Sequence, residues 1–206
     1  MTVLVTRTAA LYKSIQKTIC RTLEEADGSG KFAEDAWEKE IGSGLTCVMQ
    51  NGSIIEKAGV NFSFVQGTFN ENMANLLGEQ ATNYAASGIS SIIHSNNPFV
   101  PTIHMNVRYF SLDNGSSWFG GGIDLTPTYI NMEEAHQFHL TIKDICDRYD
   151  LSFYPEWKTW ADDYFYLPHR HETRGIGGIF FDRIQPANEL DFEKMLNLTS
   201  ELANAR

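Results

Sequence analysis

The sequence predicts an α+β fold layered around an antiparallel sheet. Strand-like stretches follow one another through short turns, which imposes antiparallel pairing. Strand and helix patterns come in blocks rather than in βαβ alternation. Hydrophobic residues make up 42% and aromatics 12% of 206 residues, enough to build the core of a single domain over residues 1–206.

The opening MTVLVTRTAALYKSIQKTICRTLEEADG sets Leu4, Ala9, Ile15, Ile19 and Leu23 at helical spacing. An amphipathic helix is expected there, although basic and hydroxyl residues with no acid before Glu24 would also suit a transit peptide. DGSGKFAED closes the helix with glycines. GSGLTCVMQNGSIIEKAGVNFSFVQG reads as a hairpin turning at Asn51-Gly52. ENMANLLGEQATNYAASG is ambiguous, with a short helix as the expectation. ISSIIHS, the turn NNPFVP and TIHMNVRYFSL form a second hairpin, and SWFGGGIDLTP adds a strand. Asn131 is an N-cap with Glu134 in the capping-box position, opening a helix whose face is Ala135, Phe138, Ile142, Ile145, Cys146 and Tyr149. The next helix takes Pro155 at N1, buries Trp157, Trp160, Tyr164 and Leu167, and stops at Pro168. RGIGGIFFDRI returns as a strand, and NELDFEKMLNLTSELANAR is a last helix.

The net charge of −10 argues against nucleic-acid binding through a broad basic surface. An anionic ligand would have to be held by a few placed arginines. Cys20, Cys47 and Cys146 are scattered with no CxxC pair, which fits a reducing compartment, so a cytoplasmic location is expected. No apolar run approaches the ~20 residues of a membrane span.

TIHMNVRYF, read with a period of two, sends Ile103, Met105, Val107 and Tyr109 to one face and His104, Asn106, Arg108 and Phe110 to the other. The first face suits a core. The second is either a solvated face or a row able to hold a proton, donate a hydrogen bond and pair with a carboxylate. The hairpin brings Ser90 or His94 toward the His104 face. His139 flanks an apolar helix stripe, where a structural role is the commoner one, and His136 lies further out. PHRHETR adds His169, His171 and Arg174. Histidines on separate elements could share a metal, but none has the spacing of HExxH. GGGID has neither dinucleotide-binding nor P-loop spacing, so its glycines mark a bulge or a close approach to bare backbone. Asp124 follows them, as an acceptor of N–H groups or as half of a buried ion pair.

IHSNNPFVPTIHMNVRYF, WFGGGIDLTPTY, YPEWKTWADDYFYLPHRHETRGIGGIFFD and EKAGVNFSFVQG together resemble the signatures of the oxygen-dependent coproporphyrinogen III oxidase family, in order through nearly the whole chain. The resemblance implies a broad antiparallel sheet flanked by helices on both faces, usually in a homodimer. It implies oxidative decarboxylation of two propionates of coproporphyrinogen III to vinyls in haem biosynthesis. Protoporphyrinogen IX is the product, O2 the acceptor, and CO2 and H2O2 are released. No organic cofactor is implied, and O2 is the co-substrate. By motif, His104 matches the proton donor, and Asp124 and Arg108 join it as catalytic candidates. Ser90, Asn106, Val107 and Arg108 match substrate-contacting positions. Gly121 and Gly122 would clear space for a flat macrocycle, Asp124 would face its pyrrole N–H groups, and Arg174 would share with Arg108 the clamping of propionates. Bacterial members ascribe a divalent metal to the positions of His94, His104, His139 and His169, whereas other members are described as needing none. A metal-dependent enzyme of other chemistry and a tetrapyrrole-binding chain without turnover are the alternatives.

Several positions depart from the family pattern. EIGSGLTCVM lacks the fuller glycine run and its arginine, Ala161 replaces a common cysteine, and Arg183 stands where a second aspartate is usual. The resemblance places roughly the C-terminal third of the family beyond Arg206, with a further substrate loop and much of the dimer contact. Ile179, Phe180 and Phe181 are then the expected bare surface.

Overall fold

The structure, a computed structural model, describes residues 2–68 and 81–205. Helix α1 (Thr2–Asp27) precedes strands β1 (Ala33–Lys39), β2 (Gly42–Gln50), β3 (Ile55–Thr68), β4 (Asn83–Ser95), β5 (Thr102–Leu112) and β6 (Ser117–Thr126). Helices α2 (Met132–Asp147) and α3 (Phe153–Tyr164) follow, then the short strands β7 (Tyr166–Leu167) and β8 (Glu172–Thr173), strand β9 (Gly178–Ile184) and helix α4 (Glu189–Asn204). Among the described residues, seven strands form one antiparallel sheet in the order β1-β2-β3-β4-β5-β6-β9. The α+β architecture is as expected.

Helix α1 lies across β3, β4 and β5, and α4 lies beside it over β5 and β6. The buried stripe of α1 is Val5, Tyr12, Ile15, Ile19 and Leu23. Leu4, expected on that stripe, is 38% exposed, because the register is set one position later by Val5. Gln16 ties the helix down: its Nε2 donates to the Leu45 and Val60 carbonyls at 2.7 and 2.9 Å. Tyr12 Oη donates to Thr199 Oγ1 of α4 at 3.1 Å. The odd-numbered residues of β5, Met105, Val107 and Tyr109, pack under these helices, as the alternation predicts.

Three elements differ from the sequence reading. Strand β1 was not foreseen. AEDAWEK is mostly charged and exposed and lacks an apolar alternation, and it stays on the sheet through its ladder to β2. The helix expected over ENMANLLGEQ falls on residues 71–80, outside the described ones, and from Asn83 the chain is already strand. Helix α3 begins at Phe153, so Pro155 is its third residue. The position is still in the first turn, where a missing N–H has no intrahelical partner to lose.

Helix α3 also breaks the expected burial pattern, because it straddles the β9 edge. Trp157 is buried and stacks on Phe181 at 4.2 Å. Trp160 and Tyr164 are 41% and 61% exposed, and both lie on Phe180, which points to the opposite face of the sheet. Leu167 is half-buried in β7, and the helix has ended before Pro168. The expected bare surface is therefore covered: Ile179 and Phe181 are fully buried, and Tyr164 stacks on Phe180 at 4.0 Å.

Candidate active site

The face of the sheet opposite α1 and α4 carries the chemistry. The pairing registers line up rows that cross the strands: Gly88, Arg108 and Gly120, then Ser90, Asn106, Gly122 and Phe180, then Ile92, His104, Asp124 and Gly178. Around these rows lies a cleft of about 310 Å³, bounded by His104, Arg108, Asp124, Tyr164, Arg174 and Phe180. The sheet and the end of α3 form its walls, and the segment after β8 brings in Arg174.

Two ion pairs organise the cleft. Arg174 Nη2 donates to Asp124 Oδ1 and Oδ2 at 2.9 and 2.8 Å, and its guanidinium lies over the Phe165 ring at 4.3 Å. Asp124 is 3% exposed, so this carboxylate is held largely by protein. His104 Nδ1 stands 3.4 Å from Asp124 Oδ2, at ion-pair distance but without hydrogen-bond geometry. Of the two roles open to Asp124, the structure builds the buried ion pair. To face a pyrrole N–H it would have to release Arg174. The second pair is Arg108 Nη2 with Asp182 Oδ1 at 2.9 Å, and Arg108 Nη1 also donates to Asn106 Oδ1 at 3.3 Å.

The three glycines have different jobs. A Cβ at Gly120 would come within 2.5 Å of Asp182 Oδ1 and 3.0 Å of Arg108 Nε, so Gly120 lets the Arg108–Asp182 pair bridge over β6. A Cβ at Gly122 would meet the Ile179 carbonyl at 2.7 Å, and one at Gly121 the Asn106 carbonyl at 2.6 Å and the Phe181 ring at 3.1 Å. The neighbours that exclude these side chains are the protein's own strands. Gly121 aligns with Val107 and Phe181 on the helix-covered face. Val107 is fully buried there, so its side chain is turned away from the cleft.

Ser90 and exposed Asn106 share a row, and His94 lies further along β4 with Nδ1 3.2 Å from Thr102 Oγ1. His169 is exposed in the turn between β7 and β8. His139 lies on α2, bonded to Ile176 and Tyr154. Among the described residues no group of three or more His, Cys, Asp or Glu side chains is placed to hold a metal ion. The four histidines therefore do not fit one ion as they stand.

Sequence reading missed Asp182, Phe165 and Phe180 as cleft residues, and placed Tyr164 in the core. Phe180 and Asp182 were accessible to it. They alternate in IFFDR with the parity of the residues opposite Gly122, and the same period of two that separated the faces of β5 separates them.

The coproporphyrinogen III oxidase family model matches residues 7–206. The chain is 45% identical to the mitochondrial oxygen-dependent coproporphyrinogen-III oxidase of Rattus norvegicus over 91% of its length and 46% of the relative's. The Drosophila melanogaster oxidase is 44% identical over 97% of this chain and 54% of the relative, and the chloroplastic Hordeum vulgare oxidase 43% over 97% and 56%. The chain spans about half the length of the curated relatives it matches.

Proposed function

The chain belongs to the coproporphyrinogen III oxidase family, and on that premise we propose that its open sheet face binds coproporphyrinogen III for oxidative decarboxylation to protoporphyrinogen IX. The observation that carries this reading is the convergence of two arginine–carboxylate pairs and His104 on one cleft beside side-chain-free backbone.

A porphyrinogen joins four pyrrole rings through sp3 carbons, with N–H donors at its centre and carboxylates at its rim. Phe180 and Tyr164, stacked at the cleft wall, offer an apolar surface to a pyrrole ring. Arg108 and Arg174 face the rim. Arg174 engages Asp124 through Nη2 alone, which leaves Nη1 for a propionate, and Arg108 likewise keeps donors beyond those used by Asp182 and Asn106. Asp124 and Asp182 hold these arginines in place rather than binding substrate themselves. Each reacting propionate loses CO2 and a hydride equivalent to leave a vinyl group. That hydride, with one proton, reduces one O2 to H2O2. His104, with Nδ1 3.4 Å from Asp124 Oδ2, is the cleft group placed to hold or deliver that proton.

O2 as the sole co-substrate, with no organic cofactor, belongs to this reading, as do a homodimer and a cytoplasmic site of action. Free Cys20, Cys47 and Cys146 support a reducing compartment. The test is anaerobic addition of coproporphyrinogen III to residues 1–206, then oxygen with analysis of tetrapyrrole, CO2 and H2O2. Binding followed by oxygen uptake with a vinyl product is expected. Failure to bind under anaerobic conditions would refute the assignment of the cleft.

A further inference from the structure

We propose that His139 is a positioning residue and not a metal ligand: its ring fastens the loop 175–177 and thereby aims Arg174 at Asp124. Its place in the cleft chemistry rests on the function proposed above.

The ring is half-buried between α2, α3 and that loop. Nε2 lies 3.0 Å from the Ile176 carbonyl oxygen, and Nδ1 lies 3.0 Å from Tyr154 Oη. A carbonyl only accepts, so Nε2 must carry the proton. Nδ1 is then the acceptor, and Tyr154 donates to it. A metal needs a free lone pair on a ring nitrogen. The only one left on neutral His139 already receives the Tyr154 hydroxyl, and binding an ion there would break that bond.

What the ring holds is the platform of Arg174. Gly175 and Gly177 have φ of 65° and 75°, in the left-handed region that favours glycine. A Cβ at Gly175 would come within 2.2 Å of the Leu125 carbonyl. The loop is stitched to the end of β6: Ile176 N donates to Leu125 O at 3.0 Å, and Leu125 N donates to Gly177 O at 3.1 Å. Leu125 directly follows Asp124. Arg174 N donates to Phe165 O at 3.0 Å. His139 is thus the α2 side of a clamp whose other side is β6, and Arg174 projects from it into the cleft. Without the ring, the Ile176 carbonyl loses its partner and the loop its helical anchor.

Two measurements on residues 1–206 test this. The first is ¹⁵N NMR of the His139 ring at neutral pH, with and without Zn²⁺. The Nε2–H tautomer, unmoved by Zn²⁺, is expected. A zinc-induced shift to a metal-bound nitrogen would overturn the proposal. The second compares His139→Ala with His139→Gln, whose amide can still donate to Ile176. His139→Ala should speed hydrogen exchange at the Ile176 and Leu125 amides and weaken anaerobic coproporphyrinogen III binding about tenfold, the scale of one buried hydrogen bond. His139→Gln should recover most of both. Unchanged exchange in the alanine variant, or a glutamine variant as impaired as alanine, would overturn it. If the wild-type chain binds no coproporphyrinogen III under anaerobic conditions, the functional reading fails, and the exchange and tautomer results still decide the role of His139.

Discussion

Asp27, at the end of α1, and Asp124, on β6, are buried to a similar degree, 5% and 3% exposed, yet their partners differ in kind. Asp27 accepts from backbone amides: Gly30 at 2.6 Å, Ser53 and Ile55 at 2.9 Å and Ile54 at 3.0 Å. These donors belong to the turn after α1 and to the β2–β3 turn, so one carboxylate staples the helix end to the hairpin. Asp124 takes its bonds from Arg174 and stands beside His104, both of them side chains that face a cleft. A carboxylate bound by fixed amides keeps one state, whereas one bound by movable cations can exchange partners with a ligand. The difference separates a structural anchor from a working group at equal burial.

Removing the anchor is the severest test of that contrast. Asp27→Ala leaves several amides without an acceptor, and each buried orphan is costly. Tm should fall by on the order of 10 °C in thermal unfolding, the largest effect on folding in the set. A loss of binding without a fall in Tm would erase the distinction. Asp27 also sets an acid limb. The Ile55 amide, with Ile54, Ser53 and Gly30, holds its carboxyl well below the usual carboxylate range. A depressed folded pKa stabilises at high pH. Its contribution should be complete above about pH 5 and decline as the pH falls below the ordinary value of about 4. Asp27→Asn should flatten that part of a Tm-against-pH curve.

In the cleft the order reverses, with function more sensitive than stability. His104→Ala should lower the rate of oxygen uptake by ~10²-fold or more with Tm nearly unchanged. A near-normal rate would remove His104 from the mechanism. Asp124→Asn should weaken anaerobic coproporphyrinogen III binding about tenfold by releasing Arg174, with a smaller fall in Tm than Asp27→Ala. A finer version lies within the glycine run. Gly122→Ala puts a methyl against the Ile179 backbone and should act mainly on Tm. Gly120→Ala meets side-chain ends of Asp182 and Arg108, which can move, so it should act mainly on binding. Equal behaviour of the two variants would mean that the glycines serve only the backbone.

How legible these two regions were in the sequence follows from range. The alternation in TIHMNVRYF separated core from cleft correctly, because a strand's faces are a local, period-two property. The Asn51-Gly52 turn was legible for the same reason, and Asn51 has φ of 56°. Asp27 was not. DGSG looks like an ordinary helix stop, and the amides that donate to Asp27 from Ser53 to Ile55 are brought close only by the fold. Trp160 and Tyr164 misled for a related reason. Helical spacing marks an apolar stripe, but it does not say that the helix sits on a sheet edge with one part of the stripe on each side. Val107 shares a motif with Asn106 and Arg108, and neighbours in a strand point in opposite directions, so motif adjacency put a core side chain among the cleft residues.

Helix α3 rests on Phe181 through Trp157 and on Phe180 through Tyr164, and these two phenylalanines are consecutive on β9. The helix therefore grips the last strand like the jaws of a clip, one jaw in the interior and one in the cleft. Such a part cannot pivot on one side alone. If a ligand wedges Tyr164 away from Phe180, the same rotation levers Trp157 against Phe181, whose ring stacks on it at 4.2 Å. Cleft width and interior fit become a single mechanical coordinate, and a change of shape at Trp157, out of reach of any substrate, is felt as a change in the gap a macrocycle must enter.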